Sequence, residues 1–278
     1  VIMGHRMSDL DAIGSAEGVL RICKICDVPA VIAVRRDATL AGSLINALIA
    51  AGQEDDFIDP KGALPIISQR TLCIVVDTYQ LGLVESREIL EKCGKVAVID
   101  HHRKGVGFIE KADLVCHEPY ASSASELVTE FLQYVGDRDD KPNRIEAEGL
   151  LSGIMLDTRD FTLHTGVRTF EAAAALRRYG AETEHVRQLF DVSMVEYTTK
   201  ARLVSEAQMY RGCAITVSGE VAPEARVAIA QAANDLLTIQ NVEASFVAVQ
   251  VGGGVNISAR SLGAVNVQAV SYTHLRAH

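Results

Sequence analysis

Short apolar runs alternate with segments of helical periodicity in the first part of this chain, and no other feature restricts its fold as strongly. The apolar runs cover residues 1–3, 30–34, 71–76 and 95–99, and the helical patterns between them cover residues 12–26, 40–51 and 85–92. Strands that are buried between helices read as continuous apolar runs, and successive βαβ units build a parallel sheet. We therefore expect an α/β fold in which a mostly parallel sheet is flanked by helices.

The pattern of the chain changes twice after this region. Helical periodicity dominates over residues 145–155, 167–179, 183–190 and 195–209. Beyond Tyr210, strand patterns over residues 213–217, 244–250 and 255–259 and a helical pattern over 223–237 predict a second, smaller α/β domain. We therefore expect one domain over residues 1–209 and another over 211–270. Residues 271–278 continue neither pattern, and we expect them to be a non-native tail.

Acidic or imidazole side chains end four separate apolar segments of the chain. In chain order, these side chains are His5, Asp9 and Asp11, then Asp77, then Asp100, His101 and His102, and finally Asp157. In three of the four cases, the side chains directly follow a predicted strand. Ligand-binding groups in open α/β sheets lie at the carboxyl ends of the strands. Each aspartate alone reads equally well as a helix cap. Together the carboxylates would repel one another unless cations neutralised them, so the sequence predicts a site for hard divalent cations.

The four motifs, in this order and spacing, resemble the Asp-His-His (DHH) phosphoesterases. The motifs read H-x-x-x-D-x-D-A, V-V-D-T, D-H-H and L-D-T in this sequence. The resemblance covers nearly the whole chain, with residues 1–209 similar to the catalytic domain and 211–270 similar to its associated domain. Residues 157–172 and 256–261 resemble more closely the cyclic-di-AMP phosphodiesterases of the GdpP type.

The resemblance implies two Mn²⁺ ions, with other divalent cations as alternatives. One ion would be held by His5, Asp9 and Asp77, and Asp77 would bridge to the other. The remaining ligands of the second ion would be Asp11, His101 and Asp157. A hydroxide shared by the two ions would then attack phosphorus, as in other two-metal sites.

The resemblance also suggests catalytic and substrate-binding roles. Asp77 and Asp100 would be catalytic, Asp100 by orienting His101, and His102 would contact the scissile phosphate or assist proton transfer. Arg103 would add positive charge near the phosphate. Ser258, Arg260 and Ser261 would face the substrate from the second domain, where arginine offers a fork for phosphate oxygens. Family members usually carry a G-G-G-H segment soon afterwards, and its absence predicts a truncated second domain.

The leading hypothesis is a phosphodiesterase that opens cyclic-di-AMP to linear pApA. A net charge of −9 argues against duplex DNA as a partner and is compatible with a small cyclic or linear dinucleotide. A nuclease of the same family that trims oligoribonucleotides or single-stranded DNA is the alternative among enzymes. A catalytically impaired fragment that binds nucleotides is the alternative from another class.

Cysteine usage and hydropathy bear on the cellular location. Six scattered cysteines with no framework spacing favour a reducing compartment. No apolar run approaches the roughly 18 residues that a membrane span needs, so we expect a cytoplasmic segment without membrane contact. The chain begins inside a predicted strand, which suggests a fragment of a longer protein that is anchored through a missing N-terminal region. The sequence leaves the oligomeric state open, a homodimer included.

Overall fold

The computed structural model describes residues 1–103, 107–136, 140–191, 194–221, 226–263 and 265–267. The chain divides into two compact units, Val1–Asp191 and Val192–His278. The division lies earlier than the predicted boundary near Tyr210, because helix α9 (Met194–Ser205) packs on α10 (Arg226–Leu236) within the second unit. The predicted tail, residues 271–278, lies outside the described residues.

A six-stranded parallel sheet forms the centre of the first unit, in the order β3-β2-β1-β4-β5-β6. Its strands are β1 (Ile2–Met3), β2 (Ile32–Ala33), β3 (Phe57–Ile58), β4 (Leu72–Val76), β5 (Lys95–Asp100) and β6 (Leu114–His117). Parallel neighbours place their carboxyl ends at one edge of the sheet. The predicted α/β fold with a parallel sheet is therefore confirmed.

Eight helices accompany this sheet in the described part of the first unit. They are α1 (Leu10–Ile25), α2 (Gly42–Ala50), α3 (Pro60–Ala63), α4 (Arg87–Lys92), α5 (Ala124–Leu132), α6 (Arg144–Thr158), α7 (Val167–Arg178) and α8 (Thr183–Gln188). Helices α1 and α6 are in direct backbone contact, since a Cβ on Gly14 would lie 2.3 Å from the carbonyl oxygen of Gly149. Both helices are largely buried, polar positions included, which brings charged side chains into the interior.

The second unit contains a four-stranded mixed sheet in the order β10-β9-β8-β7. Its strands are β7 (Gln208–Tyr210), β8 (Cys213–Glu220), β9 (Ala244–Val251) and β10 (Gly254–Ser261). Strands β8 and β9 are parallel, while the two outer pairs are antiparallel. Gly252 and Gly253 both have positive φ, as a tight two-residue hairpin turn between β9 and β10 requires. None of the helices in the described ranges is long and apolar enough to cross a membrane.

Candidate metal centre

The turn between β1 and α1 supplies the first group of side chains. Asp9 caps α1, because its Oδ1 accepts hydrogen bonds from the backbone N–H groups of Asp11 (3.0 Å) and Ala12 (3.2 Å). The imidazole of His5 lies over this turn, with its Nε2 3.8 Å from Asp9 Oδ1. The carboxylate of Asp9 therefore both caps α1 and lies close to His5.

Asp77 follows β4 directly and lies at the centre of the group of predicted metal ligands. Its backbone N–H donates to the carbonyl of Ile99 on β5 (2.9 Å), and its φ of 57° is left-handed, a conformation that aspartate tolerates better than most residues. Its Oδ2 is 3.4 Å from His5 Nε2, and its Oδ1 is 3.4 Å from His101 Nε2. The two oxygens of one buried carboxylate thus face two different imidazoles.

Asp11 is fully buried and is held by the amino terminus of α5. Its Oδ2 accepts from the N–H of Ala124 (2.7 Å) and its Oδ1 from the N–H of Ser125 (2.8 Å). The helix dipole favours a negative charge at this position. Helix α6 passes so close that a Cβ on Gly153 would lie 2.6 Å from Asp11 Oδ1, so a glycine is required there.

His101 connects Asp11 to the end of α6. Its Nε2 lies 3.8 Å from Asp11 Oδ2 and 3.0 Å from Asp157 Oδ2. Potential ligand atoms within 4.8 Å of one another therefore form three overlapping groups in the described part of the chain. These are His5, Asp9 and Asp77; Asp11, His101 and Asp157; and Asp77, His101 and His102.

The donor set fits divalent cations. Asp77 Oδ1 and His101 Nε2 are buried and make no well-aligned hydrogen bond in the described part of the chain, although charged groups surround them. Every ion-pair partner found for the clustered aspartates among the described residues is a histidine. Carboxylate oxygens and imidazole nitrogens suit Mn²⁺ and related metal ions, and a buried atom without a partner is where an ion would bind.

The acid–base properties of the cluster show how strongly it requires positive charge. Burial raises the pKa of Asp11 well above its usual range, and the negative charges of Asp77 and Asp157 raise it further. Burial alone would lower the pKa values of His5 and His101, but contacts with the neighbouring aspartates outweigh it and raise them to about 10 and about 11. Without metal, protons on the two imidazoles therefore balance the carboxylates.

Asp100 and His102 form a pair that differs from our expectation. We expected Asp100 to orient His101, but Asp100 Oδ1 lies 2.8 Å from His102 Nδ1 and 3.3 Å from the His102 backbone nitrogen. The reason is an Asx turn, in which the Asp100 side chain accepts a hydrogen bond from the backbone N–H two residues on and therefore lies beside His102. The Asp100 carboxylate raises the pKa of His102. The His102 carbonyl in turn accepts a hydrogen bond from Nε2 of His117 (2.5 Å), a residue that sequence reasoning missed because β6 gives a weak signal.

The remaining predicted site residues are Arg103 in the first unit and three residues in the second unit. Arg103 follows His102 directly and is exposed. Ser258, Arg260 and Ser261 are on β10 of the second unit, where Ser258 is buried and the other two are half-buried. Ser258 and Arg260 share one face of the strand and Ser261 lies on the other, because successive side chains alternate.

Two proteins of known sequence are similar to this chain over almost its whole length. The chain is 44% identical over 275 residues to the cyclic-di-AMP phosphodiesterase GdpP of Geobacillus thermodenitrificans, covering 97% of this chain and 42% of that protein. It is 39% identical over 274 residues to the cyclic-di-AMP phosphodiesterase PdeA of Listeria monocytogenes, with the same coverage of 97% and 42%. The chain thus spans less than half the length of these relatives.

A solved structure shows the fold of the chain, and a family model shows its family. An exopolyphosphatase-related protein from Bacteroides fragilis superposes with a TM-score of 0.79 at 20% identity, covering 98% of this chain and 82% of that one, which shows a shared fold. The model of the DHH family, N-terminal domain, matches residues 1–154. This match includes every segment of the cluster except the end of α6 that carries Asp157. On this evidence the chain belongs to the DHH family.

Proposed function

We propose that this chain hydrolyses cyclic-di-AMP to linear pApA at a centre of two divalent cations, Mn²⁺ being the preferred metal. The observation that carries the proposal is the position of Asp77, whose two carboxylate oxygens each lie 3.4 Å from the imidazole of a different histidine. A carboxylate shared in this way suits a pair of cations, the arrangement that many enzymes use to displace a phosphate ester. The names of the GdpP and PdeA relatives support the choice of substrate.

Two overlapping sets of side chains would hold the cations. The first set is His5, Asp9 and Asp77, and the second is Asp11, His101 and Asp157. We add Asp77 to the second set because its Oδ1 lies 3.4 Å from His101 Nε2. When bound, divalent cations lower the pKa of water and neutralise charge on the phosphate and the leaving oxygen. The α5 amino terminus fixes Asp11 through two backbone N–H groups, so this carboxylate has little freedom to turn away.

His102 would serve as the proton donor to the substrate. Its Nδ1 lies 2.8 Å from the buried carboxylate of Asp100, and this contact raises the pKa of the imidazole. The other ring nitrogen is then free to present its N–H to a phosphate oxygen or to the departing ribose oxygen. The hydrogen bond from His117 to the His102 carbonyl holds the backbone of this residue in place.

The second unit would contribute contacts to the substrate. Arg260 and Ser258 lie on one face of β10, as expected of side chains that contact the same ligand, and Ser261 begins the turn that follows. We assign the phosphate and sugar of the dinucleotide to these residues, with Arg103 adding a positive charge from the first unit. The first unit, Val1–Asp191, would accordingly bind the metal ions, and the second unit, Val192–His278, would contribute substrate contacts.

The test is hydrolysis of cyclic-di-AMP and of pApA, measured side by side with added Mn²⁺. We expect conversion of cyclic-di-AMP to pApA that stops there, and that disappears in Asp77→Ala but persists in Asp55→Ala, an exposed aspartate outside the cluster. Rapid conversion of pApA to AMP with the cyclic substrate spared would instead support the oligonucleotide-trimming alternative. Binding of both nucleotides without hydrolysis would favour a nucleotide-binding fragment.

A further inference from the structure

An open pocket of about 810 Å³ lies in the first unit beside the metal-binding segments. Its volume is in the range typical of small-molecule sites. The side chains that the argument uses are Arg103, Tyr120, Phe161, His164 and Phe170. Phe161 and Phe170 lie within residues 157–172, which carry part of the family resemblance, whereas Tyr120 lies outside every motif singled out in the sequence.

The pocket is connected to the candidate metal centre through the chain itself. Arg103 follows His102 directly, and Phe161 comes four residues after Asp157. Ala121 lines the pocket three residues before Ala124, whose N–H holds the Asp11 carboxylate. Consecutive Cα atoms are about 3.8 Å apart, so each of these three pocket segments lies within a few residues' reach of the candidate metal ligands.

The pocket presents aromatic rings to solvent. Phe161 and Phe170 are stacked, with ring centroids 5.6 Å apart and an angle of 18° between their planes. Phe170 is 57% exposed and Tyr120 is 93% exposed. Phe161 is half-buried against the apolar core, whereas the exposed rings of Phe170 and Tyr120 offer flat faces on which a planar, uncharged group can stack.

The backbone of the loop that carries Phe161 is strained. Arg159, Asp160, Phe161 and His164 all have positive φ, between 46° and 63°. The loop is fixed by Thr158, whose carbonyl accepts hydrogen bonds from the N–H groups of Thr162 (2.8 Å) and Leu163 (2.7 Å). Left-handed conformations cost free energy in residues with a side chain and cluster at ligand sites, where a fixed presentation is useful.

We propose that this pocket binds a nucleobase of the substrate while the phosphate occupies the metal centre. The base stacks on the exposed aromatic rings, and Arg103, which lines the pocket and directly follows His102, adds a positive charge on this side of the pocket. The inference rests on the proposed function in one respect, namely that the ligand is a nucleotide. It assigns a role to Tyr120, Phe161 and Phe170 that the metal chemistry does not require.

The test compares AMP, which carries a base, with ribose 5-phosphate, which does not. Binding of each to the Mn²⁺-loaded chain is measured by calorimetry, so that no turnover is needed. Stacking of one base on aromatic rings corresponds to roughly a tenfold gain in affinity, and we expect AMP to bind at least about tenfold more tightly than ribose 5-phosphate. In Phe170→Ala and Tyr120→Ala this ratio falls by roughly fivefold or more.

Tyr134→Ala is the matched control, because Tyr134 is 89% exposed and does not line this pocket. The ratio stays at its wild-type value in this control. Equal binding of AMP and ribose 5-phosphate by the wild-type chain, or an unchanged ratio in both pocket variants, would overturn the inference. Hydrolysis of cyclic-di-AMP is scored separately: base selectivity without hydrolysis refutes the proposed function alone, and hydrolysis without base selectivity refutes the pocket alone.

Discussion

Two clusters of buried or half-buried acidic side chains lie at opposite ends of the contact between α1 and α6. The metal-centre cluster (Asp11, Asp77 and Asp157) lies at one end, and the guanidinium cluster (Glu17, Arg21 and Glu146) at the other. In the guanidinium cluster, Arg21 binds Glu146 through Nε (2.8 Å) and Nη2 (2.6 Å), and Gln53 adds a further hydrogen bond (2.8 Å). The chain thus supplies a permanent cation to its own buried carboxylate.

In the described part of the chain, no arginine or lysine forms an ion pair with the metal-centre cluster. Its ion-pair partners among the described residues are histidines, whose protons exchange with solvent and can be displaced by metal ions. Burial is similar in the two clusters, so burial alone does not distinguish a structural ion pair from a functional site. The distinguishing feature is the residue type of the positive partner.

The largest effect is expected from Asp77→Asn, which breaks the metal-centre cluster alone. Asparagine keeps the shape of the side chain and tolerates the left-handed backbone at this position, but it removes the shared negative charge. Metal ions contribute several kcal/mol to such reactions, so we expect hydrolysis of cyclic-di-AMP to fall by at least about 10³-fold. A steady-state assay at saturating Mn²⁺ measures this, and a loss of less than tenfold would contradict the role of Asp77.

Arg21→Met tests the guanidinium cluster. Glu146 would keep its buried charge without its main partner, so we expect the free energy of unfolding to fall by about 3 kcal/mol while Mn²⁺ affinity stays unchanged. Denaturant titration provides the measurement. Arg36→Met is the control, because its ion pair with Glu54 (3.7 Å) is solvent-exposed and we expect a loss below about 1 kcal/mol. Equal losses in the two variants would remove the distinction between them.

The pH dependence of metal binding sharpens the comparison. The pKa values of His5 and His101 are about 10 and about 11 without metal, so both imidazoles are protonated at neutral pH and must lose their protons to bind cations. Mn²⁺ affinity should therefore fall with decreasing pH, by up to about a hundredfold per pH unit when two protons are released. Calorimetry in buffers of different ionisation enthalpy counts these protons. A Mn²⁺ affinity that did not change between pH 6 and pH 8 would show that the imidazoles do not release protons when the metal binds.

A pH-dependent effect on stability is expected at Glu17, which is buried in the guanidinium cluster and makes no hydrogen bond in the described part of the chain. Burial, together with the charges of Asp56 and Glu146, raises its pKa from 4.5 to about 8, although Lys24 and Arg21 oppose this. Between these values the folded state binds more protons than the unfolded state, so stability falls as pH rises. Glu17→Gln should remove this loss, gaining about 1.4 kcal/mol relative to wild type per pH unit. Parallel stability curves for the two proteins would contradict it.

The sequence predicted the elements that bury apolar runs, and the edge strand β10, but missed the short edge strands β3, β6 and β7. Strands β1, β4 and β5 lie in the interior of the parallel sheet, and their buried aliphatic side chains gave a clear signal. Strands β3, β6 and β7 are edge strands of two to four residues, with side chains such as Leu114 exposed to solvent. Their pairing is determined by neighbouring strands, which a local pattern cannot reveal.

The same distinction applies to the candidate site. The clustered aspartates and histidines could be predicted because each follows a local apolar segment, and family resemblance placed them in one centre. The pairing of Asp100 with His102, the His117 contact and the aromatic pocket depend on how loops are arranged in space. The guanidinium cluster joins Arg21 to Glu146, which are 125 positions apart in sequence. No local pattern around either residue predicts this contact.

The most direct test of the shared role of Asp77 is the number of Mn²⁺ ions that the chain binds. Equilibrium dialysis with metal analysis should give two equivalents for the wild-type chain and weakened binding of both in Asp77→Asn. Asp9→Asn, which alters a side chain of the first set only, should weaken one equivalent and keep the other. A single equivalent in the wild-type chain, or two equivalents retained with full affinity in Asp77→Asn, would contradict a centre in which this carboxylate holds two cations.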